Sequence, residues 1–168
     1  MSEEQCRLRF RDAMASLPAA VNIVTTAGSA GRCGITATAV CSVTDTPPSV
    51  LVCINSRSAM NPVFASNGRM CINILNHGQE EMARHFAGMT ELEMDQRFAL
   101  DGWQEGAAGQ PVLNQALASL EGRIAQVQTI GTHQVYLLEI DDITLAGEGD
   151  GLIYFKRRFH PVLSQLIA

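Results

Sequence analysis

Among 168 residues the sequence carries a single lysine, Lys156, a single tryptophan and two tyrosines, and its formal net charge is −5. A nucleic-acid surface needs a field of basic residues, so that class of partner is excluded. No stretch reaches the roughly 18 unbroken apolar residues of a membrane helix. The opening MSEEQCRLRF also has no apolar centre of the kind a signal peptide needs. The five cysteines, Cys6, Cys33, Cys41, Cys53 and Cys71, are odd in number, scattered, and form no CxxC pair. That pattern argues against a disulfide framework and fits a reducing cytoplasm, with most thiols packed as small hydrophobes. There is no GxGxxG, no P-loop, no GxSxG and no HExxH, and His77, His85, His133 and His160 lack zinc-ligand spacing. A Rossmann site, a nucleophile elbow and a metal centre are therefore not expected.

What the chain does have is 46% hydrophobic residues against 17% charged ones. That composition predicts one packed domain over residues 1–168. Glu3 to Leu17 reads as an amphipathic helix stopped by Pro18, with Leu8, Phe10, Met14 and Leu17 on a broad apolar face. Strands are predicted at 20–26, 33–43, 49–54, 70–75, 117–128, 133–143 and 152–155, the last leading into the tail. Short helices are predicted at 59–66 and 79–86, and the polar segment 90–111 reads as surface excursions. Strands at this spacing, joined by short turns such as Ala27–Gly31 and Thr44–Pro48, suggest an antiparallel barrel with helices outside.

Five segments can carry a site, and each also has an ordinary structural reading. In Gly34 to Val40 the small and hydroxylated residues let a flat ligand approach the backbone, and Thr36 and Thr38 share one face of a strand. A tightly packed strand would look the same. In Cys53 to Ser58 a strand-to-helix junction offers free amides, with Asn55, Arg57 and Ser58 beside it. Ser58 would serve as a helix N-cap or a phosphate donor. Arg84-His85-Phe86 joins charge to an aromatic ring, or simply ends a helix in favour of its dipole. Gly131-Thr132-His133 places a histidine at the start of a strand. Tyr154 to His160 mixes aromatics with the dense basic run Lys156-Arg157-Arg158.

Taken together, PAAVNIVTT, GITATAVCSVTDTPPSVLVCIN, NPVF, CINIL, ARHFAG, SLEGRI, GTHQVYLLEI and GLIYFKRRFHPV resemble the flavin reductase-like family over nearly the whole chain. The resemblance implies a mainly β fold, a six-stranded antiparallel split barrel of Greek-key connectivity with a few flanking helices. It implies a homodimer in which NADH, with NADPH as the alternative donor, reduces FAD or FMN. The diffusible reduced flavin would then serve a separate oxygenase acting on a phenolic substrate. Carried over residue by residue, Thr36, Ala37, Thr38 and Ala39 line the isoalloxazine. Cys53, Asn55 and Ser58 lie by the ribityl and phosphate groups, and Arg84, His85 and Phe86 by the phosphate or nucleotide end. His133 belongs to a Gly-x-His motif that positions the nicotinamide, and Tyr154, Lys156 and Arg157 close that side. The middle position of the motif is Thr132 here, where aspartate is common in the family. The competing readings are a flavin reductase of another two-component system such as pyrimidine degradation, a non-catalytic flavin- or haem-binding barrel, an oxidase of pyridoxine phosphate type, and a plain interaction module.

Overall fold

The computed structural model describes residues 1–165. The chain runs α1 (Glu3–Ala15), β1 (Ala19–Ala20), β2 (Asn22–Thr26), β3 (Cys33–Ala37), β4 (Val40–Asp45), β5 (Pro48–Asn55), α2 (Asn61–Asn67) and β6 (Arg69–Ile74). It continues through a single 3-10 turn at His77–Gln79 to α3 (Glu80–Phe86), α4 (Met94–Phe98), β7 (Trp103–Glu105) and β8 (Pro111–Leu113). Last come β9 (Ala118–Ile130), β10 (His133–Leu145), β11 (Gly151–Phe155) and β12 (Arg158–Val162).

Among the described residues, one antiparallel sheet has the order β3-β2-β6-β9-β10-β5-β4. Its two edge strands, β3 and β4, are consecutive in sequence and separated only by Thr38 and Ala39. The sheet must therefore curl until its edges meet. The Cys53 N–H donates to the Ala39 carbonyl at 3.0 Å, extending the β4–β5 ladder into the link. With β3 and β4 counted as two halves of one bent strand, this is the expected six-stranded split barrel. The two-residue period of β5 decides what goes inside. Val50, Val52 and Ile54 face the barrel core with Phe64, Ile72 and Leu138, while Leu51, Cys53 and Asn55 take the outer face. Cys33 also belongs to the core, and burial pushes its thiol up to about 11, so it stays protonated.

A second core lies outside the barrel, where α3, α4 and the β7–β8 hairpin cover β2. Phe86, Phe98 and Trp103 pack edge to face, with ring centroids 5.0 to 5.2 Å apart. The reading of 90–111 as surface excursions is corrected here: Phe98 is only 6% exposed and belongs to this core with Leu113. The hairpin is fastened by buried polar groups. Thr25 Oγ1 donates to the Pro111 carbonyl at 2.6 Å, Asn73 Oδ1 accepts the Leu113 N–H at 2.9 Å, and Glu121 accepts the Ala108 N–H at 3.1 Å.

Two more departures concern the ends of the chain. The strand at 151–155 is followed by another, β12, and the pair pivots on Lys156 and Arg157 with φ of 51° and 61°. Both residues of the two-residue turn are left-handed, a conformation that normally selects asparagine or glycine. The helix α1 ends at Ala15 and buries no residue at all. Leu8, Phe10, Met14 and Leu17 are 48%, 63%, 47% and 61% exposed. Leu8 also leaves the expected face, because two residues turn a helix by about 200° and place it opposite Phe10. Cys6, Phe10, Ala13 and Met14 form the actual stripe.

Candidate functional site

The link that closes the barrel also organises the site. Thr36 and Thr38 share a face, and Thr36 Oγ1 donates to the Ala83 carbonyl in α3 at 2.7 Å. That contact seats α3 across the end of β3. Gly34 completes the fit, since a Cβ there would come within 3.0 Å of the Phe86 ring. Opposite stands the β11–β12 hairpin, whose paired residues Tyr154 and Phe159 bring their rings to 5.0 Å. Between them lies a cleft of about 180 Å³ lined by Thr36, Thr38, Ala87, Met89, Tyr154 and Phe159. Two threonines, small residues and an aromatic wall make a slot for a flat heterocycle. Because the Thr36 proton is already committed, the Thr38 hydroxyl is the better donor to a ligand's polar edge. The guanidinium of Arg84 sits 4.9 Å from the Phe159 ring, at the same hairpin. Its ion pair with Glu80 is half-exposed, at 3.3 Å, and is easily exchanged for a phosphate.

On the other side of the link, the outer face of β5 and β10 carries the remaining candidates. Asn55 pairs directly with His133, and Cys53 with Val135. The turn after Asn55 is fastened to the turn before His133. The Ser56 N–H donates to the Thr132 carbonyl at 2.9 Å, and Gln134 Nε2 donates to Ser56 Oγ at 3.2 Å. Asn55 Oδ1 accepts the Arg57 N–H at 2.9 Å, fixing a tight turn that leaves His133 exposed beside it. Thr132 Oγ1 lies 2.9 Å from His133 Nδ1, which sets the ring's rotation. Ser58 does not cap α2, whose N-cap is Met60; its hydroxyl instead accepts the Met60 N–H at 3.3 Å.

Several of the expected residues sit elsewhere. The ring of Phe86 is buried in the second core and supports the cleft from beneath. His85 turns to the opposite flank of α3. There Nδ1 lies 2.7 Å from Thr90 Oγ1, and the residue lines a groove of about 640 Å³ with Glu81 and Asp101. The acidic residues make that groove a poor seat for phosphate. Lys156 and Arg157 hold α1. The Lys156 N–H donates to the Ala15 carbonyl at 2.8 Å, Nζ to Ser16 Oγ at 2.6 Å, and Arg157 to Asp12 at 2.8 Å. These contacts offset a left-handed turn that costs roughly 1–2 kcal/mol per residue. Phe159 falls within the Tyr154–His160 segment read as a candidate from sequence but outside the residues carried over to the site, and Met89 lies outside every candidate segment; IYF-KR-RFH does carry a hairpin's symmetry of aromatics about two polar residues.

A split barrel with a hydroxyl-bearing link facing an aromatic hairpin defines a class of flavin-handling proteins. The chain belongs to the flavin reductase-like family, whose "Flavin reductase like domain" matches residues 14–163. It is 72% identical over 168 residues to the 4-hydroxyphenylacetate 3-monooxygenase reductase component of Salmonella typhi, covering 100% of this chain and 99% of that one. The protein of the same name from Escherichia coli is 68% identical over the same span, with 100% and 99% covered. Among solved structures, the NADH:FAD oxidoreductase SgcE6 of Streptomyces globisporus C-1027 in complex with NAD and FAD fragments superposes with a TM-score of 0.86. It is 28% identical, and the match covers 98% of this chain and 97% of that one.

Proposed function

We propose that this protein is an NAD(P)H:flavin oxidoreductase that reduces FAD or FMN and releases it to a separate oxygenase, a 4-hydroxyphenylacetate 3-monooxygenase. The observation that carries this reading is the Thr36–Ala39 link. It joins the aromatic cleft on one side to the Asn55–Ser58 and Thr132–His133 turns on the other, one surface for two cofactors. Hydride transfer between nicotinamide and flavin is chemistry the cofactors supply. The chain supplies placement. Thr38 and the amides of the link face the heterocycle's polar edge, where fixed donors favour the anionic reduced ring. Tyr154 and Phe159 exclude water from one face. Arg84 and the Asn55–Ser58 turn hold phosphate, and His133 positions the nicotinamide without acting as acid or base.

The protein is further proposed to be a homodimer of single-domain subunits in the cytoplasm. The apolar stripe on α1 supports the dimer, and five unpaired thiols support a reducing compartment. Among the described residues no helix is long and apolar enough to cross a membrane.

The test is NADH oxidation by the purified protein with and without added FAD or FMN, compared with NADPH. Turnover that depends on added flavin supports the reading. Bound flavin without turnover would replace it with a carrier. His133→Ala should raise KM for NADH with kcat nearly kept; unchanged kinetics would remove His133 from the site.

A further inference from the structure

We propose that a second cavity, between the β2–β3 turn and the β7–β8 hairpin, binds a small aromatic monocarboxylate. The cavity is about 360 Å³ and is lined by Arg32, Phe98, Trp103, Glu105 and Pro111, among others. It shares no lining residue with the flavin cleft. Two of its walls are aromatic, which suits a ring lodged edge to face. The guanidinium of Arg32 lies over the Phe98 ring, 4.6 Å from its centroid. No carboxylate of the described residues pairs with it. Its N–H groups therefore remain available for the fork-like contact that guanidinium makes with a carboxylate. Trp103 Nε1 is buried without an acceptor, a second sign that polar groups around this cavity are not satisfied by the chain itself.

The composition of the rim narrows the ligand. Glu105 shares the cavity with Arg32, and its charge opposes a dianion such as phosphate more than it opposes a single carboxylate. The volume lies at the small end of ligand pockets, enough for one ring with a short acidic arm and too small for a dinucleotide. An arylacetate meets every one of these conditions. The inference does not depend on the reductase reading, because the cavity and its charge stand whatever the flavin cleft does.

Trp103 is the only tryptophan in the chain and forms a wall of this cavity, so its fluorescence reports on a ligand that enters it. The full-length protein, free of flavin, is titrated with 4-hydroxyphenylacetate and with the uncharged 4-hydroxyphenethyl alcohol. A saturable change with the acid is expected, about tenfold weaker or more with the alcohol, because a hydrogen bond to a charged group is lost. Arg32→Gln should weaken binding of the acid by a similar factor while leaving flavin-dependent NADH oxidation intact. Arg84→Gln, at the other cleft, should leave acid binding unchanged. No saturable change, an equal response to the alcohol, or undiminished binding in Arg32→Gln would overturn the proposal. Loss of NADH turnover in the parent would instead count against the reductase reading alone.

Discussion

The two helices α1 and α3 are held by opposite means. α1 is thirteen residues long and opens with a capping box from Ser2 to Gln5, yet buries no side chain. α3 has seven residues and no side-chain cap, but Ala83 and Phe86 are buried. A helix as short as α3 is not stable alone in water. It exists because the Thr36 hydroxyl holds its Ala83 carbonyl and because Phe86 enters the ring cluster with Phe98 and Trp103. Local signals can start a helix that has nothing to pack against, and packing can impose a helix whose local signals are weak. The candidate site is built on the second kind, which ties the cleft's shape to the outer core.

The sharpest test of that dependence is Phe86→Ala. Removing a buried aromatic from a packed core costs about 3–5 kcal/mol. Chemical denaturation should show a loss of that size, with flavin binding lost under conditions where the barrel still folds. A loss near 1 kcal/mol would mean that α3 does not rely on the cluster. Thr36→Val is smaller and more local. It keeps the shape but removes one of the two donors to the Ala83 carbonyl, which retains the Ala87 N–H at 3.0 Å, costing about 0.5–1.5 kcal/mol. Flavin affinity, read by fluorescence titration, should fall because α3 shifts, while kcat at saturating flavin stays close to the parent. Thr36→Ser should restore most of the affinity. If valine binds flavin as threonine does, the hydroxyl does not seat the helix.

The same contrast explains what the sequence made legible. The barrel strands could be placed because the short apolar run at Ser49 to Ile54 and the mostly apolar segment Met70 to Leu75 are physical consequences of facing a core on one or both sides. Thr36 and Thr38 were recognisable for the same reason, since a two-residue period puts both on one face. The second core was not legible. Phe98 and Trp103 are five apart in a polar stretch with no helical or strand period, and only the fold brings them to Phe86. The last hairpin was hidden by its turn, because Lys156-Arg157 is a poor dipeptide for two left-handed residues and is stabilised from outside by α1. Side-chain direction was lost too: Arg84 and His85 are neighbours in sequence but serve different clefts.

The smallest effect on the subunit is expected at α1, and it discriminates most finely between the two helices. Phe10 is 63% exposed, so Phe10→Asp removes little packing within one copy. Subunit stability should move by no more than about 0.5 kcal/mol, as for an ordinary surface change. In the proposed dimer the stripe of Cys6, Phe10, Ala13 and Met14 would lie against the second copy, and a carboxylate placed there would be desolvated without a partner. If the proposed dimer forms through α1, sedimentation should show the parent as dimers and Phe10→Asp as monomers at the same concentration, with the unfolding of the isolated subunit unchanged. A variant that stays dimeric would take α1 out of the interface. One that loses stability as a monomer would mean that α1 folds back onto its own barrel, and α1 would then be held, like α3, by packing within its own subunit.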